Sequence, residues 1–174
     1  MSSNPRILIF TGEGKGKTTA ALGMALRASG YGMRILVIQF IKNCRSGELE
    51  AVEKLSNVEI VQTGLGFLSD KSSAELAAHK NAAEKGLRMV GQAIVSSDYQ
   101  MIILDEICYA VSRGLLEEQE VITVLKKADP SSHLVLTGRG VTAGLVDLAD
   151  TVTEMRCVKH GMNSGITAQR GVEL

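Results

Sequence analysis

Short apolar runs alternate along this chain with longer stretches whose apolar positions recur at helical spacing. The runs predict six strands: Arg6 to Thr11, Arg34 to Phe40, Val58 to Thr63, Met101 to Leu104, Leu134 to Thr137 and Thr151 to Arg156. The intervening stretches predict helices. The first covers Thr18 to Ser29, with Leu22, Ala25, Leu26 and Ser29 on one side and Gly30-Tyr31-Gly32 as its stop. A short helix follows over Glu48 to Leu55. A long one runs from about Ala74 to Val95, with Ser72 and Ser73 as candidate caps. A helix-rich stretch after residue 106 is clearest over Leu116 to Lys127 and stops at Asp129-Pro130, and Ala143 to Leu148 forms a last short helix. The final eighteen residues, from Cys157, read as loop with room for an edge strand.

The run RILVIQF is almost continuously apolar, which suits a strand covered on both faces. Strands alternating with helices predict an α/β domain over residues 1–174. Its parallel sheet of about six strands is wrapped by helices through crossovers of one hand. Ligands of such sheets collect where the strands end. Thr11-Gly12, Gln39-Phe40, Gly64, Asp105-Glu106 and Gly138-Arg139 all lie where a predicted strand stops, so one crevice can gather them.

Composition narrows the partners. Nineteen basic and nineteen acidic residues cancel, which gives no global attraction to nucleic acid or an anionic membrane. Aromatic residues are 3% with no tryptophan, too few for a platform that stacks bases. No apolar stretch reaches transmembrane length, and the N-terminus lacks the pattern of a signal peptide. Cys44, Cys108 and Cys157 are widely spaced and odd in number, and read as reduced packing thiols in a cytoplasmic protein.

The first predicted strand runs into Gly12-Glu13-Gly14-Lys15-Gly16-Lys17-Thr18-Thr19 and then into a helix. Strand, glycine turn and helix together make a phosphate-binding loop. Backbone N–H groups of the turn and the helix N-terminus attract anions. Lys17 is assigned to the outer phosphates and the Thr18 hydroxyl to a magnesium ion. The first glycine comes one position late, because Thr11 stands where general nucleotide-binding loops have glycine.

The fourth strand ends in two carboxylates. Asp105 is the candidate metal residue, and Glu106 a supporting group or a base. Arg139, between two glycines at a strand end, is placed to grip phosphate oxygens. Lys42 is a weaker candidate of the same kind, and Lys159-His160 a modest hint of an anion contact. His79 and His133 show no ligand spacing. Phe67 follows Gly64-Leu65-Gly66, where its ring either packs on the core or meets an apolar ligand.

Taken in order, these segments resemble the ATP:corrinoid adenosyltransferases that carry a phosphate loop. The resemblance rests on Thr11 to Thr19, Val37 to Lys42, Gly64 to Phe67, Leu104 to Glu106 and Thr137 to Gly140. It continues through Asp147 to Val152, Val158 to His160 and Gly165 to Gly171. The late glycine is itself a trait of that family. The resemblance implies a P-loop NTPase (RecA-like) fold and transfer of the 5′-deoxyadenosyl group of ATP to cobalt of a cob(I)corrinoid, with loss of triphosphate. It implies Mg2+ or Mn2+ on Thr18 and Asp105, with ATP held by Gly12 to Thr19 and Arg139. Lys17, Asp105, Glu106 and Arg139 are its catalytic group, and Gln39, Lys42, Phe67, Lys159 and His160 its corrinoid side.

It further implies a homodimer and an external reduced flavoprotein. Two departures stand out. Ser69 occupies a position that is commonly tryptophan, which bears on how the lower face of the corrinoid is sealed. The extension that often precedes the first strand is nearly absent, which implies looser binding or greater dependence on a second subunit. The competing readings are a P-loop ATPase or nucleoside kinase, and a non-catalytic module that only binds ATP or corrinoid.

Overall fold

Six strands lie side by side in one parallel sheet: β1 (Arg6–Thr11), β2 (Ile35–Gln39), β3 (Val58–Gln62), β4 (Met101–Asp105), β5 (His133–Thr137) and β6 (Thr151–Glu154). They come from a computed structural model that describes residues 4–66 and 73–172. The spatial order is β3-β2-β4-β5-β1-β6, and every pairing is parallel. Because β1 sits between β5 and β6, and β4 between β2 and β5, the carboxyl ends of β1, β2, β4 and β5 are brought together. That is the crevice of a doubly wound sheet.

The two faces of the sheet are covered by different helices. On one face, Ile35, Val37, Met101, Ile103 and Val135 pack with Ala21, Ala25 and Ala28 of α1 (Lys17–Gly30) and Val52 of α2 (Gly47–Val52). On the other, Ile7, Ile9, Leu36, Ile38, Ile102, Leu104, Leu134 and Leu136 meet α3 (Ser73–Ser96), α4 (Ile107–Ser112), α5 (Glu118–Leu125) and α6 (Ala143–Leu148). Strand residues alternate between the two cores, as the pleat requires. β2 and β4 are buried along their whole length, in keeping with the unbroken apolar runs.

The apolar side of α1 is only partly buried. Ala21, Ala25 and Ala28 face the sheet, while Leu26 is 62% exposed. Small side chains let the helix lie close to the strands. Leu22 and Leu26 instead line an apolar groove toward Ala51, Val52 and Leu55. The helix-rich stretch is two helices, broken at Gly114, whose φ of 68° takes a left-handed turn. β6 ends two residues short of the expected Arg156. Beyond it, the described residues contain no further strand, only a short 3-10 turn over Gly161–Ser164. Ser72, Phe67 and Ser69 lie outside the described residues. Cys108 is buried, as expected of a packing thiol, but Cys44 and Cys157 are exposed.

Candidate active site

The phosphate loop begins where β1 stops. Thr11 still belongs to the sheet, paired with Glu154 of β6, so the turn starts at Gly12. This accounts for the late glycine. Gly12 (φ 94°) and Gly16 (φ 102°) adopt left-handed backbone, and Gly16 hands the chain to α1. The Gly14 N–H donates to the Met155 carbonyl at 2.7 Å, and the Met155 N–H donates to the Thr11 carbonyl at 2.8 Å. One loop amide is therefore turned toward β6 and away from the mouth.

Inside the loop, Lys17 Nζ donates to the carbonyls of Gly12 (2.7 Å) and Gly14 (2.8 Å). Burial holds its pKa below the usual lysine value, although Glu106, Glu13 and Asp105 oppose the shift. Across the mouth, Arg139 Nη1 and Glu13 Oε2 form an exposed ion pair at 3.2 Å. Lys15 reaches the other way, with Nζ 3.4 Å from the Val172 carbonyl of the C-terminal segment. Thr19 lines the groove between α1 and α2.

Asp105 is the hub. It is 1% exposed, and each of its oxygens has two partners. Oδ1 accepts from Thr18 Oγ1 at 2.8 Å and from Thr137 Oγ1 at 2.7 Å. Oδ2 accepts from Gln39 Nε2 at 3.0 Å and faces Lys42 Nζ at 3.4 Å. Gln62 Nε2 in turn donates to Gln39 Oε1 at 2.9 Å, which fixes the amide with its nitrogen toward Asp105. Lys42 also lies 3.9 Å from Glu48 Oε2.

Glu106 leaves β4 with a left-handed backbone (φ 65°) and starts α4. Its N–H donates to Thr137 Oγ1 at 2.9 Å. Burial, and then the neighbouring Asp105, push its carboxyl above the usual range, against Lys17, Lys42 and Arg139. The Cys108 thiol behind it is pushed up to about 12 by burial and by Glu106, so it is inert packing.

A loop built for phosphates, with a buried carboxylate on its threonine, is shared by many nucleotide-binding proteins. The comparisons resolve which kind this is. Residues 3–174 match the model of the family ATP:corrinoid adenosyltransferase BtuR/CobO/CobP. The chain belongs to this family. It is 38% identical over 169 residues to the corrinoid adenosyltransferase CobA of Salmonella typhimurium, a match spanning 96% of this chain and 84% of the relative. It is 37% identical to a corrinoid adenosyltransferase of Pseudomonas aeruginosa, over 96% of this chain and 82% of that one. Among solved structures, a KaiC-like protein of Pyrococcus horikoshii superposes with a TM-score of 0.54 at 18% identity, covering 87% of this chain and 71% of that one. That likeness concerns the fold alone.

Seen as a member of the adenosyltransferase family, the chain gathers Gly12 to Thr18, Gln39, Lys42, Asp105, Glu106 and Arg139 around one crevice. Gln39 is fully buried with both ends of its amide engaged, so in this structure it supports Asp105. Lys159 and His160 lie in the C-terminal segment, where His160 Nδ1 accepts from the Met162 N–H at 3.2 Å. Among the described residues, no hydrogen bond or ion pair joins either of them to the Asp105 cluster. Sequence reasoning missed Thr137, Met155 and Gln62. Thr137 carried a signal, a polar residue closing an apolar strand beside Gly138. Met155 acts through its backbone, which leaves none.

Proposed function

We propose that the loop from Gly12 to Thr19 holds the triphosphate of ATP while a cob(I)corrinoid attacks the 5′ carbon of the ribose. Corrinoid adenosyltransferase activity itself follows from family membership. In the proposed step the cobalt electron pair forms the Co–C bond. The C5′–O bond breaks, and triphosphate leaves with that bonding pair. The nucleophile carries no proton, so no general base is required, and Glu106 is left a positioning role.

The observation that carries this reading is the contact of Thr18 with buried Asp105 beside Lys17. Lys17 exchanges the Gly12 and Gly14 carbonyls for phosphate oxygens, and Arg139 leaves Glu13 for the same charge. The donor set also fits Mg2+ or Mn2+. Thr18 and Asp105 offer oxygen ligands, and among the described residues no cluster of three His, Cys, Asp or Glu makes an all-protein cage. Such an ion, held by Thr18 and supported by Asp105, supplies charge neutralisation of the departing triphosphate.

On the corrinoid side we assign Lys42, Phe67, Lys159 and His160, while Gln39 supports Asp105. We also assign a homodimer and an external reduced flavoprotein, following the family resemblance. Incubation with ATP, Mg2+ and cob(I)alamin tests the reading. A light-sensitive alkylcobalt spectrum with triphosphate as the phosphate product is expected. ADP as the product would instead indicate an ATPase or kinase, and unchanged ATP a binding module.

A further inference from the structure

We propose that Thr137 is a positioning residue of the adenosyl-transfer site, one hydroxyl that sets the geometry of both acidic residues at the end of β4. The proposal rests on the reading of Asp105 as the support of a metal bound at Thr18.

The placement comes from the sheet. β4 and β5 pair up to Leu104 and Leu136, so Asp105 and Thr137 stand one step beyond the last paired residues, on adjacent strands. Thr137 is 0% exposed. A threonine hydroxyl has a single proton to donate and lone pairs to accept with. Here the proton goes to Asp105 Oδ1 (2.7 Å), and the oxygen accepts from the Glu106 N–H (2.9 Å).

Each bond does separate work. The first orients the carboxylate, because Oδ1 is the same atom that accepts from Thr18. With Thr137 in place, a lone pair of Oδ1 stays directed at the Thr18 hydroxyl. The second holds the peptide of a non-glycine residue in left-handed backbone. In a continuing strand Glu106 would point to the face opposite Asp105. The turn held by Thr137 instead ends the strand and starts α4, which keeps both acids at the crevice.

A hydroxyl that merely satisfied buried polar groups would matter for folding alone. Metal-dependent binding separates the two roles. ATP affinity is measured by calorimetry with Mg2+ and with EDTA, for the wild type and for Thr137→Val, Thr137→Ser and Asp105→Asn. Residues that orient metal-supporting groups typically change metal affinity roughly 10–100-fold. The Mg2+-dependent gain in ATP affinity is therefore expected to shrink about tenfold or more in Thr137→Val. Affinity in EDTA should stay near wild type, and Thr137→Ser should restore the gain.

A full Mg2+-dependent gain in Thr137→Val overturns the proposal, whatever its melting temperature does. Should the valine variant fail to fold, Thr137→Cys keeps similar bulk with a weak donor. A reduced gain there supports the proposal, and a wild-type gain overturns it. Asp105→Asn separates the premise from the proposal. A full gain in that variant removes Asp105 from metal support, whereas a lost gain there beside a normal Thr137→Val removes Thr137 alone.

Discussion

The Gly14 amide donates to the Met155 carbonyl at 2.7 Å, so the phosphate loop is tied to the chain leaving β6. β6 is otherwise an exposed edge strand, paired among the described residues with β1 alone. Its last turn helps form the wall on which the loop is moulded. A Cβ at Gly14 would lie 2.8–2.9 Å from Met155 and Arg156 backbone atoms, which cannot yield as a side chain would.

Gly14→Ala is therefore expected to distort the loop. Overpacking of this kind costs about 1–3 kcal/mol, readable by urea unfolding. A loss of the same size in binding is roughly 5-fold to 150-fold in ATP affinity. Gly23→Ala is the control, because nothing lies within 4 Å of the added Cβ within α1. It should stabilise by about 0.4–1 kcal/mol, since alanine restricts the unfolded chain. Equal behaviour of the two variants would mean that the approach of Met155 does not constrain the loop.

Lys17→Met tests the buried ammonium. Removing one preorganised electrostatic contact typically lowers turnover about 10²–10³-fold. That loss is expected in the rate of alkylcobalt formation from pre-reduced cob(I)alamin. Stability without nucleotide should not drop much, because the variant no longer buries a charge whose pKa is already lowered by that burial. Near-normal turnover would take Lys17 out of the site.

Glu106 makes stability depend on pH. Its folded carboxyl binds a proton more tightly than the unfolded one, so the folded state holds more protons once pH passes about 4.3. Stability must then fall as pH rises through the window between the unfolded and the raised folded value. Glu106→Gln removes this penalty. Its melting temperature should exceed that of the wild type near neutral pH, with the gap closing as pH falls toward the unfolded value. A difference that is constant with pH would show that Glu106 does not titrate in this way.

Gly64 sits where the chain leaving β3 crosses the chain leaving β2. An added Cβ would run into the backbone of Ile41, far inside contact distance, while the Gly66 N–H donates to the Ile41 carbonyl at 2.8 Å. Gly64→Ala should destabilise by about 3 kcal/mol or more, at the upper end of overpacking effects. Chemical denaturation checks this, and a loss under about 0.5 kcal/mol would contradict the close crossing.

The elements and the chemistry-bearing strand ends were legible because both signals are local. Apolar period separates strand from helix, and a strand that stops in Gly-Lys-Thr or in two acids declares its end. The positions of β1 to β6 and of α1, α3 and α6 were read to within a residue or two, and Lys17, Thr18 and Asp105 meet where strand ends were expected to converge. Of the residues grouped on one side of α1, Ala25 is buried and Leu22 packs half-buried on the core, whereas Leu26 is exposed. Closest to the strands, α1 packs through Ala21, Ala25 and Ala28.

By itself, then, the amino-acid order determined which segments are strands and helices, where the phosphate loop lies and which acids end β4. Only the tertiary structure decided that Thr137 and Gln39 share Asp105, that Gln62 sets the Gln39 amide and that Met155 walls the loop. These contacts join strands that are neighbours in the sheet but distant along the chain. Their partners are set by strand order and register, properties of the whole assembled sheet that no single segment encodes.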